Sequence, residues 1–282
     1  MSFLTFGIMA LSAYSFCYYQ NNKLQITRFN LGLETNDNIR VLQLSDLHSK
    51  EFGKYNSKLL EVILNEKPDI VVATGDLIDS NMKRIDNIVY FLATVNSSIP
   101  VFYIPGNNEM RCKKLNEIIH KLKVNNISVL DNEIKTIKIK STIVNILGLV
   151  EKRVDDGELF YEKVKSKYES DKSIYLLNRL EKMNGVKLLL SHYPENYEAN
   201  EDISYSKYKF DIMFSGHAHG GQFILPCIGG LFAPGQGIFP KYYSGVYGKE
   251  NKLVVSRGLG NSGFPLRLFN RPNIVVADIL RK

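Results

Sequence analysis

The sequence predicts an α/β fold, and three observations carry that reading. From residue 24 onward, short β-branched runs alternate with longer amphipathic stretches. The 282 residues are 44% hydrophobic and 23% charged with 20 Gly and 9 Pro, which excludes a disordered or collagen-like chain. Histidines and carboxylates fall immediately after the apolar runs, where the strands of an open sheet place functional groups. This length suits one α/β domain as well as two, and a single domain buries roughly 70–75% of its unfolded surface and needs no staples.

The first 22 residues carry no charged side chain, and Phe3–Tyr19 is a 17-residue run dominated by apolar and aromatic side chains. As a helix it would reach about 26 Å, slightly short of a ~30 Å hydrocarbon core. Residues 1–22 are therefore expected to be one N-terminal helix acting as a single-pass anchor at the cell membrane, with Tyr14, Tyr18 and Tyr19 near the interface. The alternatives are a helix packed on the domain and a cleaved signal peptide, the latter disfavoured because neither a basic n-region nor a small-residue cleavage site is clear. Lys23 and Arg28, which follow the segment, are too few to fix the side of the membrane.

Strands are expected at Leu24–Leu31, Arg40–Ser45, Asp69–Thr74, Val101–Ile104, Thr142–Leu149, Val186–Ser191, Asp211–Ser215, Lys252–Ser256 and Asn273–Ile279. Helices are expected at Ser57–Glu66, Met82–Asn96, Lys113–Val124 and Ser173–Met183, from apolar spacings of three and four. Residues 216–248 are Gly-rich, aperiodic and long for a loop, which points to a functional surface.

Cys17, Cys112 and Cys227 are widely spaced and form no C-x-x-C pattern, so a disulfide framework and a thiolate zinc site are both disfavoured. Lys and Arg outnumber Asp and Glu by 36 to 29, a net charge of +7 that suits anionic partners. The excess is scattered. No aromatic-and-basic stripe suggests single-stranded nucleic acid, and the lysines of 113–123 read as a solvated face.

Four of five histidines lie just beyond strand-like runs: His48 in LQLSDLH, His192 in KLLLSH, and His217 and His219 in IMFSGHAH. Asp46 shares the first of these runs, and Asp76 ends IVVATGD. One histidine at a strand end is usually a satisfied polar group, but four with two carboxylates and an Asn suit Zn, Fe or Mn. His120, in an amphipathic helix, reads as a surface residue. Arg257 and Arg267 could clamp a phosphate by their forked guanidinium, with structural ion pairing an equal alternative.

In the order D-L-H (46–48), G-D (75–76), G-N-N-E (106–109), S-H-Y-P (191–194) and G-H-A-H-G-G-Q (216–222), these residues resemble the calcineurin-like metallophosphoesterases. The last block, S-R-G-L-G (256–260) and the apolar N-terminus resemble the family's membrane-associated bacterial phosphodiesterase branch. The resemblance implies that residues 23–282 form one domain, a layered β-sandwich flanked by helices, with two divalent metal ions, Mn, Zn or Fe. Asp76 would bridge them, with Asp46, His48 and His219 on one ion and Asn107, His192 and His217 on the other. Two ions about 3.5–4 Å apart lower the pKa of a shared water and hold the phosphoryl oxygens, so no nucleophilic Ser or Cys is required. Asp76, Asn108 and His217 are then the expected catalytic group, and Asn108, Arg257 and Arg267 the expected substrate contacts.

One position departs from the family. Most members read G-N-H where this chain reads Gly106-Asn107-Asn108. Asn108 donates a hydrogen bond but supplies no proton at neutral pH, and general-acid help is worth roughly 10²–10⁴ in rate. The expected function is hydrolysis of a phosphodiester, lipid-linked or from the envelope. A nucleotide or nucleic-acid phosphodiesterase and a metal-dependent binding protein that has lost catalysis are the alternatives.

Overall fold

Alternating burial along the apolar runs separates two faces of each sheet. In β2 (Ile39–Leu44) the side chains of Ile39 and Val41 enter one core while Leu42 and Leu44 enter another, as the two-residue period of a strand requires. The computed structural model describes residues 3–79, 81, 84–150, 171–198, 204–261 and 263–282.

The first sheet contains β1 (Gln25–Leu33), β2, β3 (Ile70–Ala73), β4 (Val101–Tyr103), β5 (Ser128–Val129) and, from the far end of the chain, β16 (Asn273–Arg281). Its order is β1-β16-β2-β3-β4-β5, with β2 to β5 parallel and β16 antiparallel to β2. The second contains β6 (Glu133–Ile139), β7 (Thr142–Gly148), β8 (Val186–Leu190), β9 (Ile212–Ser215), β14 (Gly245–Tyr247) and β15 (Lys252–Val255), in the order β14-β15-β9-β8-β7-β6. Between β9 and β14 lie two short ribbons, β10 (Ile224–Leu225) with β11 (Gly229–Gly230), and β12 (Phe232–Ala233) with β13 (Gly237–Ile238).

The two sheets pack face to face through Val41, Val72, Phe102, Val144, Ile146, Leu188, Phe214, Val254 and Val275. Helices α2 (Ser57–Glu66), α3 (Ile85–Asn96) and α5 (Leu115–Val124) cover the outer face of the first sheet with Leu59, Ile63, Ile88, Leu92 and Ile118. Across the outer face of the second, α6 (Asp171–Glu181) places Leu176, Leu177 and Leu180 on Leu189 and Met213. The result is the expected helix-flanked sandwich, in which each buried Leu or Ile contributes about 1.5–3 kcal/mol.

The nine expected strands and four helices all form, with ends shifted by a few residues; Met82, the expected start of α3, lies outside the described residues. Besides β5 and β10 to β14, which are two or three residues each, an edge strand and a short helix escape the sequence reading. β6 is an edge strand whose Lys135, Thr136 and Lys138 dilute its apolar signal, and α4 (Asn107–Arg111) is only five residues long. On α5, Lys121 pairs with Asp86 and Glu117.

Phe3–Asn22 forms the N-terminal helix α1, whose apolar side chains are exposed. The single-pass expectation is corrected: no helix among the described residues is long and apolar enough to cross a membrane. The physical reason lies in the sequence, because Thr5, Ser12, Ser15 and the terminal Gln20-Asn21-Asn22 interrupt the apolar surface. That last turn is docked on the domain. Gln20 is buried, and Asn21 Oδ1 accepts hydrogen bonds from the Arg267 backbone N–H and from Asn261 Nδ2, both at 3.1 Å.

Candidate metal centre

Every predicted ligand sits just past the carboxyl end of a strand, and the parallel run of both sheets brings these ends together. Asp46 and His48 follow β2, Asp76 follows β3, Asn107 and Asn108 open α4 after β4, His192 follows β8, and His217 and His219 follow β9. Two groups result: Asp46, His48 and His219, and Asp76, His192 and His217, each with its ligand atoms within 4.8 Å of one another.

In the first group His48 Nε2 lies 3.1 Å from His219 Nε2, and His219 Nε2 lies 3.5 Å from Asp46 Oδ1. In the second, His192 Nε2 is 3.5 Å from Asp76 Oδ2 and 3.1 Å from Asn107 Oδ1. Asp76 Oδ2 also lies 3.9 Å from His48 Nε2, so this carboxylate stands between the groups. Asn108 donates to it twice, from its backbone N–H to Oδ1 at 2.8 Å and from its side-chain amide to Oδ2 at 2.6 Å.

The donor set fits cations. The buried His217 Nε2 has no hydrogen-bond partner, and leaving a buried polar atom unpaired costs about 1–3 kcal/mol, which a cation at that lone pair would offset. Burial, reinforced by His192, holds the His217 imidazole well below its usual proton affinity, and burial with His48 and Arg267 does the same to His219. Both rings therefore stay neutral and offer lone pairs. Burial alone would raise the Asp76 carboxyl, but His192, His48 and the Asn108 N–H outweigh it and hold it far below the carboxylate range. Asp46 moves the other way, raised chiefly by burial.

The loops carrying these ligands are strained. Asp46, His48, Asp76, His217 and His219 all have φ between 48 and 62°, a region that few non-glycine residues adopt and that clusters at functional sites. Packing enforces it. At Gly75, with φ 87°, a Cβ would lie 2.5 Å from the Gly106 nitrogen, so the two loops that flank Asp76 touch through glycine backbone.

Glu109 ties these loops together, a role the sequence did not disclose although G-N-N-E contains it. Its Oε2 accepts the backbone N–H of Asp76 and of Gly106, both at 2.9 Å, and its Oε1 accepts that of Ile78 at 2.8 Å. Burial and the neighbouring Asp76 push its carboxyl up to about 7. Arg111, on the same short helix, is near enough for its charge to depress His217 further.

The two arginines separate. Arg267 is 1% exposed, and its guanidinium donates to the carbonyls of Gly260, Arg257 and Asn270, with Nη2 3.5 Å from His219 Nδ1. The expectation that it contacts substrate is corrected: its donors are committed to main chain behind His219, which makes it a positioning residue. Arg257, at the end of β15, has no side-chain hydrogen bond among the described residues and stays a candidate for a phosphate oxygen. His120 is exposed, as expected.

The profile of the family described as calcineurin-like phosphoesterase matches residues 39–221, the segment that carries all seven candidate ligands. The chain belongs to this family. It is therefore a metal-dependent phosphoesterase of a dimetal family. An uncharacterized metallophosphoesterase of Aquifex aeolicus is 29% identical over 98% of this chain and 99% of its own length. The phosphodiesterase YaeI of Escherichia coli is 26% identical over 86% of this chain and 82% of its own. Among solved structures, the sulfate thiohydrolase SoxB of Thermus thermophilus superposes with a TM-score of 0.52 at 11% identity, covering 90% of this chain and 57% of that one, a likeness of fold alone.

Proposed function

We propose that this phosphoesterase hydrolyses a phosphodiester, one that is lipid-linked or belongs to the cell envelope, while held at the cell membrane through α1. The observation that supports hydrolysis is the pair of ligand groups sharing Asp76. Preference for a diester draws on the likeness to YaeI. Support for a membrane site comes from α1, which has no charged residue and exposes its apolar side chains.

Asp46, His48 and His219 would hold one divalent ion, and Asn107, His192 and His217 the other, with Asp76 common to both. When bound, such a pair supplies Lewis acidity toward phosphoryl oxygens and a nucleophile at neutral pH. The protein's own part is positional. Asn108 holds Asp76 in place, and its amide can donate to a phosphoryl oxygen but cannot protonate a leaving group. The reading therefore favours esters whose leaving group departs without a proton, such as an aryl alcohol or the phosphate side of a diphosphate.

The test is hydrolysis of bis-p-nitrophenyl phosphate and p-nitrophenyl phosphate by the full chain in detergent, stripped of metal and refilled with Mn²⁺, Zn²⁺, Fe²⁺ or Mg²⁺. Metal-dependent cleavage favouring the diester, and falling steeply as leaving-group pKa rises, is expected. A folded chain that binds two ions and cleaves neither ester would replace hydrolysis with a binding role.

A further inference from the structure

No Asp, Glu, Lys or Arg occurs in α1, and its exposed side chains cover every side of it. Phe3, Leu4, Phe6, Ile8, Met9 and Leu11 are all more than half exposed, and at 100° per residue they point all around the axis. A protein groove covers one stripe of a helix. Although Thr5, Ser12 and Ser15 interrupt it, the apolar surface of Phe3 to Leu11 is covered more completely by the acyl region of a bilayer than by a groove on one side.

The apolar surface does not stop at the helix. Phe16 on α1 meets Phe269 edge-on at 5.8 Å between ring centroids, and Phe264 meets Phe223 at 5.5 Å. Phe264 and Phe269 are 51% and 50% exposed, on one loop beside the docked end of α1. The same loop is braced against the metal centre. Gln222 Nε2 donates to the carbonyls of Phe264 and Leu266, and Asn270 Nδ2 donates to the carbonyl of His219 at 2.7 Å. Where α1 ends, exposed Lys23 and Lys58 line a cleft of about 420 Å³ with Asn22, Asn65 and Glu61, which places two cations beside the apolar surface. Basic groups bordering an apolar patch match an anionic headgroup layer.

We propose that Phe264 and Phe269 form a second bilayer contact next to α1, so that the loop bracing His219 rests at headgroup level. The inference rests on the membrane part of the proposed function and not on its chemistry. It assigns a lipid interface as the partner of the 263–269 loop and gives the catalytic domain two points of attachment, hence a fixed attitude toward the membrane.

The chain contains no Trp, so Phe264→Trp and Phe269→Trp each install a unique fluorophore. Each variant of the full chain is mixed with vesicles of zwitterionic and anionic phospholipid, and flotation is read beside indole emission. The expected result is co-flotation with a blue shift, and quenching by brominated acyl chains, for both variants. Tyr175→Trp, on α6 over the other sheet, serves as the control and should show neither. The double variant Phe264→Ser, Phe269→Ser should partition about ten-fold less while keeping its rate on a soluble aryl diester. Flotation with unshifted indoles at 264 and 269 would overturn the second contact and leave α1 as sole attachment. Absence of flotation by a folded chain would overturn both contacts. Cleavage of the soluble diester in the same preparations reports the proposed reaction separately, since it needs no vesicle.

Discussion

The two ligand groups use nearly the same side chains against opposite backgrounds. Behind Asp76, His192 and His217 stand buried acids: Glu109, pushed up to about 7 by burial and Asp76, and Glu195, pushed up to about 7 by burial. Around Asp46, His48 and His219 stand bases: the buried Arg267, lowered to about 9, and the half-buried Lys50, lowered to about 8, both mainly by burial. The imidazoles follow suit. His192 Nδ1 donates to the Thr74 carbonyl at 2.7 Å, which leaves Nε2 a lone pair for a cation, whereas His219 Nδ1 faces a guanidinium. An anionic surround strengthens cation binding and a cationic one weakens it. The comparison teaches that two groups of matching composition need not bind with equal strength: the Asp76 group should fill first.

Removing the one carboxylate common to both groups breaks the comparison altogether. Asp76→Ala should abolish metal-dependent diester cleavage, a loss beyond the roughly 10–100-fold typical of residues that only support ligands. Residual cleavage within that range would show that Asp76 is not shared. Glu109→Gln falls inside it: the amide keeps its carbonyl for two of the three N–H groups at most, so activity should drop about 10–100-fold with the chain still folded. An unchanged rate would remove Glu109 from the account of the second group.

The order of filling is open to calorimetric titration of the metal-free chain with Mn²⁺. Two steps are expected, separated by about ten-fold or more in affinity. His192→Ala should erase the tighter step and His219→Ala the weaker one. The opposite assignment would mean that the neighbouring bases do not govern affinity.

Asp46, His48, Asp76, Asn107, His192, His217 and His219 were legible as candidate ligands because each follows an apolar run, and a parallel sheet converts that local pattern into spatial convergence. The central strands of both sheets were legible because nearly all of their side chains are apolar and buried. β6 was not, because half its side chains face solvent, and neither were the short ribbons of 223–238, which pair over two residues each. Arg267 was ambiguous from residue type alone: a forked guanidinium suits a phosphate clamp and a structural role equally, and only the fold shows its donors turned to Gly260, Arg257 and Asn270. The N-terminal segment was legible as a helix. Whether it crosses a bilayer depended on its summed polarity, where Gln20-Asn21-Asn22 weigh against it and dock on the domain instead.

The smallest of the expected effects isolates the acidic background of the second group. Glu195 follows His192 by three residues, and although its stem is partly exposed, both carboxylate oxygens are buried without a hydrogen-bond partner. Its folded pKa of about 7 stands above the model-peptide value of 4.5, so between these two the folded chain binds more protons than the unfolded one. Stability contributed by this group is thus complete below about pH 4.5 and lost as pH rises through about 7, by up to about 3 kcal/mol. Glu195→Gln removes the proton and with it this slope. The difference in melting temperature between Glu195→Gln and the parent, both metal-free, should therefore grow in the variant's favour from pH 4.5 to 7 and level off above. A difference that stays constant across that window would show that the Glu195 carboxylate finds a partner on ionising, and the contrast between an acid-backed and a base-backed group would then rest on Glu109 alone.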